Sequence, residues 1–199
     1  MPGARGIIFD LDGTLVDSRL DFDAMRREMG LPVGVPILEG LANVPDGPER
    51  DRMLAVMRNH ELRGADESRP FDGVIEFLSH LEERGIPSAV LTRNSRESAE
   101  RTLHRWKLSF SQIVTREDAP PKPDPAGVHL IADRWGLPPH QLVVIGDYLF
   151  DLQAGRRAGT RSVLFAPGEC PEFANEADFV LRDFRHAVDL LNQLVTDDT

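Results

Sequence analysis

Short runs of consecutive apolar residues alternate along this chain with longer stretches in which apolar positions recur every three or four residues. The first kind covers Gly6 to Phe9, Ser88 to Leu91, Leu142 to Ile145 and Ser162 to Phe165. Each is short and apolar without interruption, the pattern of a strand buried on both faces. Shorter runs at Gln112 to Val114 and Asp178 to Leu181 add two edge strands. The second kind predicts helices from Val74 to Arg84, with Val74, Phe77, Leu78 and Leu81 on one face, and from Ser95 to Trp106, with Ser95 as N-cap. Asp124 reads as the cap of a third helix, with Pro125 its first residue, running to Trp135. Leu149 to Ala158, closed by Gly159, and Phe184 to Leu194 complete the set. Strand and helix in alternation predict an α/β fold built on a doubly wound parallel sheet.

Residues 18–70 break this rhythm. They hold helical patterns at Phe22 to Met29, Ile37 to Ala42 and Glu49 to Leu62, joined by Gly and Pro turns, with no strand between them. The expected organisation is therefore a core formed by residues 1–17 and 71–199, with residues 18–70 inserted after the first strand as a small helical cap. No internal repeat or low-complexity segment interrupts it.

Composition narrows the partners. At 199 residues, with 41% hydrophobic and 28% charged positions, the chain has the makeup of a globular protein. Its net charge of -10 argues against nucleic acid or an anionic membrane as a partner. No apolar run approaches membrane-spanning length, and the stretch before the first strand is too short for a signal peptide, so a cytoplasmic protein is expected. A lone Cys170 excludes an internal disulfide and reads as inert, and the six histidines lack metal-ligand spacing. Trp106 and Trp135, late in amphipathic helices, are expected to fill the core. The only lysines are Lys107 and Lys122, every other basic group being arginine, so a mechanism that needs a lysine has two candidates.

Polar residues follow each core strand: Asp10 and Asp12 after the first, Thr92, Arg93 and Asn94 after the second, Asp147 and Asp151 after the third. In an open parallel sheet the carboxyl ends of the strands line the ligand crevice. Asp10 and Asp12 are two residues apart, which in extended chain turns both toward one site, and Gly13 lets the backbone leave sharply. Acids beside a buried sheet are costly unless a cation compensates them. Lys122, in the connection between the second and third of these strands, can reach the crevice, and a cluster of hard oxygen ligands favours Mg²⁺.

The four segments DLDGT at 10–14, LTRN at 91–94, KP at 122–123 and GDYLFD at 146–151 resemble, in order and spacing, the four motifs of the haloacid dehalogenase-like hydrolases. The resemblance spans nearly the whole chain and is similar in kind to the phosphoglycolate phosphatase-like members with a small cap after motif one. It implies a Rossmann-like core and a covalent mechanism. Asp10 would attack phosphorus and form an aspartyl-phosphate; Asp12 would protonate the leaving oxygen and then activate water. Thr92 and Lys122 would bind the transferring phosphoryl group, with Arg93 and Asn94 as further phosphate-binding candidates. The metal set would be Asp10, Asp12 through its backbone carbonyl, and Asp147, with Asp151 ranked below them as a residue that orients a metal water or Lys122. The chain departs from the commoner pattern in that Arg93 stands between Thr92 and Asn94.

Within that family, retention of Asp12 points to phosphoryl rather than carbon chemistry, and the absence of a cap lysine sets aside the phosphonatase branch. The expected activity is a Mg²⁺-dependent phosphomonoesterase acting on a small phosphorylated metabolite. A phosphomutase is the nearest alternative, and a non-catalytic phosphate-binding module the alternative of a different class. Arg26, Arg27, Arg50, Arg52, Arg58 and His60 are the cap residues that could read an anionic substrate, or else form a solvated helix face. Leu31, Val33, Val35 and Ile37 would form an interface if exposed; the oligomeric state is not legible.

Overall fold

The structure, a computed structural model, describes residues 4–196. In chain order its strands are β1 (Gly6–Phe9), β2 (Val16–Asp17), β3 (Arg69–Pro70), β4 (Ser88–Leu91), β5 (Gln112–Val114), β6 (Leu142–Gly146), β7 (Arg161–Phe165) and β8 (Phe179–Leu181). The helices are α1 (Phe22–Met29), α2 (Ile37–Ala42), α3 (Pro48–Glu67), α4 (Val74–Glu83), α5 (Arg96–Trp106), α6 (Ala126–Trp135), α7 (Leu149–Ala158) and α8 (Ala187–Thr196). Six strands form one sheet in the order β5-β4-β1-β6-β7-β8, every pair parallel.

Strand periodicity divides the core. Ile7, Phe9, Val90, Val143, Ile145, Val163 and Phe165 point to one face, where they pack with Phe77, Leu81, Leu103, Phe184 and Leu191. Their neighbours Ile8, Ala89, Leu91, Leu142 and Val144 point to the other, against Val128, Ile131, Ala132 and Ala154. Both faces of β1 and β6 are thus buried, which is why those strands read as unbroken apolar runs. Phe9 lies at the centre, edge-on to Phe77 with ring centroids 6.1 Å apart. Burying such a side chain stabilises the fold by about 1.5–3 kcal/mol.

All six expected sheet strands are present, and the helices differ mainly at their ends. Pro125 is the N-cap and α6 begins at Ala126, while the Asp124 carboxylate accepts from the Ala126 amide at 2.8 Å, so the acid caps from one residue further out than expected. The expected helix from Phe184 opens as a 3-10 turn over Phe184–His186, which Asp183 caps by accepting from the Arg185 amide, before α8 begins. The helix expected over 49–62 runs to Glu67, because Gly64 and Ala65 continue its buried stripe and Gly64 lets Leu20 pack against the backbone. Trp106 and Trp135 are half-buried, each tied by its indole N–H, to Ser68 and Ser111 respectively.

Between β2 and β3, which pair antiparallel, the chain builds α1, α2 and α3 around an apolar cluster of its own: Met25, Met29, Ile37, Leu41, Met53 and Met57. Leu31, Val35 and Ile37 pack toward this cluster and α2; of the four residues considered for an interface only Val33 stands fully exposed. The distal half of α3 is fastened to α5 by Arg58–Glu97 and Asp66–Arg101 ion pairs, both at 2.6 Å. No described helix is long and apolar enough to cross a membrane.

Candidate active site

The site forms at the carboxyl edge of β4, β1 and β6. Asp10 directly follows β1, and its amide still donates to Ile145 O at 2.9 Å, so its backbone is held as rigidly as the strand. The chain then turns: Gly13 N–H donates to Val16 O, and Leu15 and Val16 N–H both donate to Leu11 O. Gly13 has φ 83°, and a Cβ there would stand 2.2 Å from Asp147 Oδ2. Only glycine therefore lets the loop after β1 close on the aspartate that follows β6.

Lys122 is the hub. Its buried Nζ lies 2.5 Å from Asp10 Oδ1 and 2.6 Å from Asp151 Oδ1, and it donates to Leu91 O at 2.6 Å. All three ammonium donors are thereby committed. Burial by itself would lower the lysine pKa, but the Asp10 and Asp151 carboxylates outweigh it and hold the group above its ordinary value, so it stays charged. The adjacent Lys122–Pro123 peptide is cis.

The acids outnumber this cation. Asp10 is pushed well above the usual carboxylate range, first by burial and then by Asp151 and Asp147, against the opposing pull of Lys122. Asp147 is pushed up to about 7, first by burial and next by the Asp151 charge. One carboxylate oxygen from each of Asp10, Asp147 and Asp151 lies within 4.8 Å of the others. A set of hard oxygen donors with a deficit of positive charge fits a divalent cation of the Mg²⁺ type. Within the trio Asp151 is the least free. Its Oδ1 pairs with Lys122 and its Oδ2 accepts from the Tyr148 amide at 3.1 Å, which caps α7; Gly146 leaves the space its side chain needs. Asp147 is steadied by Thr14, whose hydroxyl donates to Oδ1 at 3.2 Å.

Asp12 lies past the end of β1, in a β-bridge with Val16 across the turn formed by residues 13–15. Burial, partly offset by hydrogen bonds from Ser18 and Asn94, raises its pKa to about 6. That value suits a group that must both give and take a proton near neutrality. Asn94, a phosphate-binding candidate by sequence, donates its amide to Asp12 Oδ2 at 2.6 Å. Thr92 is buried, and its Oγ1 accepts from the Asn94 backbone N–H at 3.1 Å. Arg93 is brought to the mouth instead: its guanidinium stacks 4.7 Å from the Phe150 ring centroid, donates to the Lys122 carbonyl, and meets Glu39 on α2 at 2.7 Å.

Glu61 lies outside the four motifs. This α3 residue is buried, accepts from Ser95 Oγ at 2.9 Å and forms an ion pair with Arg116, whose guanidinium also donates to Arg93 O. Its signal was an acid on the stripe that carries Met53, Met57 and Gly64. Glu39 and the exposed ring of Tyr148 at the mouth carry no comparable pattern.

The chain is similar to known proteins in sequence and in fold. Over 219 residues the chain is 28% identical to the N-acetylmuramic acid 6-phosphate phosphatase of Pseudomonas aeruginosa, covering 97% of each chain. It is 32% identical to a phosphoglycolate phosphatase of Pseudomonas syringae pv. tomato, across 81% of this chain and 69% of that one. In fold it is similar to the crystal structure of a hydrolase from Pseudomonas syringae, with a TM-score of 0.81 at 24% identity, covering 96% of this chain and all of the other. The family model described as haloacid dehalogenase-like hydrolase matches residues 7–165, from the start of β1 to the end of β7. With the strand-end acids, the buried lysine and that match taken together, the chain belongs to the haloacid dehalogenase-like hydrolases.

Proposed function

We propose that this protein is a Mg²⁺-dependent phosphomonoesterase acting on a small phosphorylated metabolite, with residues 18–70 serving as a cap over a core of residues 1–17 and 71–199. The observation that carries the reading is the buried Asp10–Lys122–Asp151 array, with Asp12 and Asp147 beside it. A fixed, charged lysine beside a strand-end carboxylate works against the burial that raises its pKa and orients it for attack. The phosphatase names of the relatives support the same chemistry.

In this reading an Asp10 carboxylate oxygen forms a bond to phosphorus as the ester P–O bond breaks, and Asp12 gives its proton to the departing alkoxide. Asp12, now a base, takes a proton from water, whose oxygen attacks phosphorus and releases Asp10 and inorganic phosphate. The Thr92 hydroxyl holds a phosphoryl oxygen through both steps, with the Lys122 charge beside it. Asp10, Asp147 and the Asp12 backbone carbonyl would hold Mg²⁺, which when bound supplies positive charge against the phosphoryl group. Asp151 orients Lys122 rather than reacting.

The test is phosphate release from a panel of small phosphomonoesters with Mg²⁺. Release by the wild type, abolished by chelator and by Asp10→Asn, is the expected result. A wild type that releases no phosphate from any monoester sinks the phosphatase reading and favours the mutase or the binding module.

A further inference from the structure

Of the six basic residues considered as substrate readers, Arg27 is exposed and the other five are committed to other tasks. Arg26 donates to Asp23 and Val35 O, and Arg50 to Leu41 O and Val44 O at the end of α2. Arg52 donates to Glu28 O and Met29 O at the end of α1 and pairs with Glu49; Arg58 pairs with Glu97, and His60 with Glu28. These arginines close helix ends and fasten helices, so they are poor readers of a substrate. Of the core arginines that meet this cap, Arg116 and Arg101 pair with Glu61 and Asp66 on α3, and Arg93 is the one that follows Thr92 and donates to the Lys122 carbonyl.

Arg93 is held from three sides. Its chain neighbour is Thr92, its Nη1 donates to the carbonyl of Lys122, and its guanidinium plane rests on Phe150. Nη2 meets both oxygens of Glu39, at 2.9 and 2.7 Å. Glu39 is less anchored. Its side chain is 44% exposed, it sits on a six-residue helix, and among the described residues its carboxylate has no partner but Arg93. The pair opens to solvent on the Glu39 side while Arg93 stays largely covered, so an incoming carboxylate can take the place of Glu39 and leave the guanidinium where it is. Arginine is suited to that exchange because its planar fork stays in place and accepts either carboxylate.

We infer that Arg93 is the specificity-determining cation for the leaving group, and that Glu39 occupies its anion position between turnovers. The site then selects phosphate monoesters whose leaving group carries a carboxylate near the ester oxygen. Both groups that anchor Arg93, Thr92 and Lys122, belong to the phosphate end of the site, so the molecule that bridges phosphate and guanidinium is small. Once the phosphate is seated, the carboxylate meets Arg93 as an intramolecular partner. This inference rests on the phosphatase reading.

The experiment compares phosphoglycolate with ethyl phosphate, which puts a methyl where the carboxylate would be, in the wild type, Arg93→Gln and Glu39→Gln with Mg²⁺. The expected result is a kcat/KM ratio favouring phosphoglycolate in the wild type and falling about tenfold or more in Arg93→Gln. In Glu39→Gln the phosphoglycolate KM should fall while that of ethyl phosphate holds. An unchanged ratio in Arg93→Gln, or both KM values rising together in Glu39→Gln, overturns the inference and leaves the pair as a cap fastener. Should no monoester be turned over, the phosphatase reading fails separately, and calorimetric binding decides the inference. Tighter binding of phosphoglycolate than of ethyl phosphate, lost in Arg93→Gln, upholds it; equal binding overturns it.

Discussion

Asn94 Nδ2 donates to Asp12 Oδ2 at 2.6 Å, so the amide two residues after Thr92 holds the carboxyl two residues after Asp10. With a second bond from Ser18, it orients the carboxyl that exchanges a proton in the proposed reaction. Asn94→Ala frees the side chain to rotate, and kcat is expected to fall about tenfold to a hundredfold, part of the range general acid catalysis contributes. The loss should be larger for ethyl phosphate than for p-nitrophenyl phosphate, whose leaving group needs no proton. Equal losses on the two esters would show that Asn94 acts elsewhere.

Gly13 and Asp147 meet too closely for any side chain at 13. If Asp10 and Asp147 hold Mg²⁺, the ion stabilises the folded state by an amount that grows with its concentration. Wild-type Tm should therefore rise with Mg²⁺, with an increase sharply reduced in Asp147→Asn and in Gly13→Ala, where the new Cβ displaces the carboxylate. A Tm rise of the same size in Asp147→Asn would place the ion somewhere else.

Glu61 joins α3 to the core through Arg116 and Ser95, both within the buried seam. Removing one partner of a buried pair leaves the other uncompensated, at a cost of about 3–5 kcal/mol. Glu61→Ala should lose stability in that range in urea unfolding, and Glu61→Ala/Arg116→Met should recover part of it. No recovery in the double variant would mean the charge pairing is not what the seam relies on.

Asp118 steadies the loop that leads to Lys122, its Oδ2 accepting from Thr115 N and Oγ1 at 2.8 Å and from Arg96 at 2.5 Å. Burial works to raise its pKa, but the Thr115 bonds and the Arg96 charge prevail and lower it. A carboxyl with a depressed folded pKa contributes stability above its unfolded value, near 3.9, that is lost as the pH falls through the folded value. Asp118→Asn should therefore cost about 1–2 kcal/mol at pH 7, with the gap from wild type closing below about pH 4. A gap that stays constant down to pH 3 would exclude the ionised carboxylate as its source.

What the sequence determined by itself was whatever depends on neighbours along the chain. The apolar runs of β1, β4, β6 and β7 gave the parallel sheet, because strands buried on both faces leave no polar position to hide them. The acids directly after those runs located the crevice, because strand ends in such a sheet share one edge. Lys122 stood out because lysine is so scarce here. The tertiary structure alone decided which polar group faces which. Arg93 and Asn94 are adjacent in sequence, yet one turns out to Glu39 and Phe150 while the other turns in to Asp12. Likewise Asp151 is committed at both oxygens, and Arg50 and Arg52 of α3 are drawn to helix ends. These pairings join residues far apart in the chain, and their geometry exists only once the sheet, α3 and the loop before α6 have packed together.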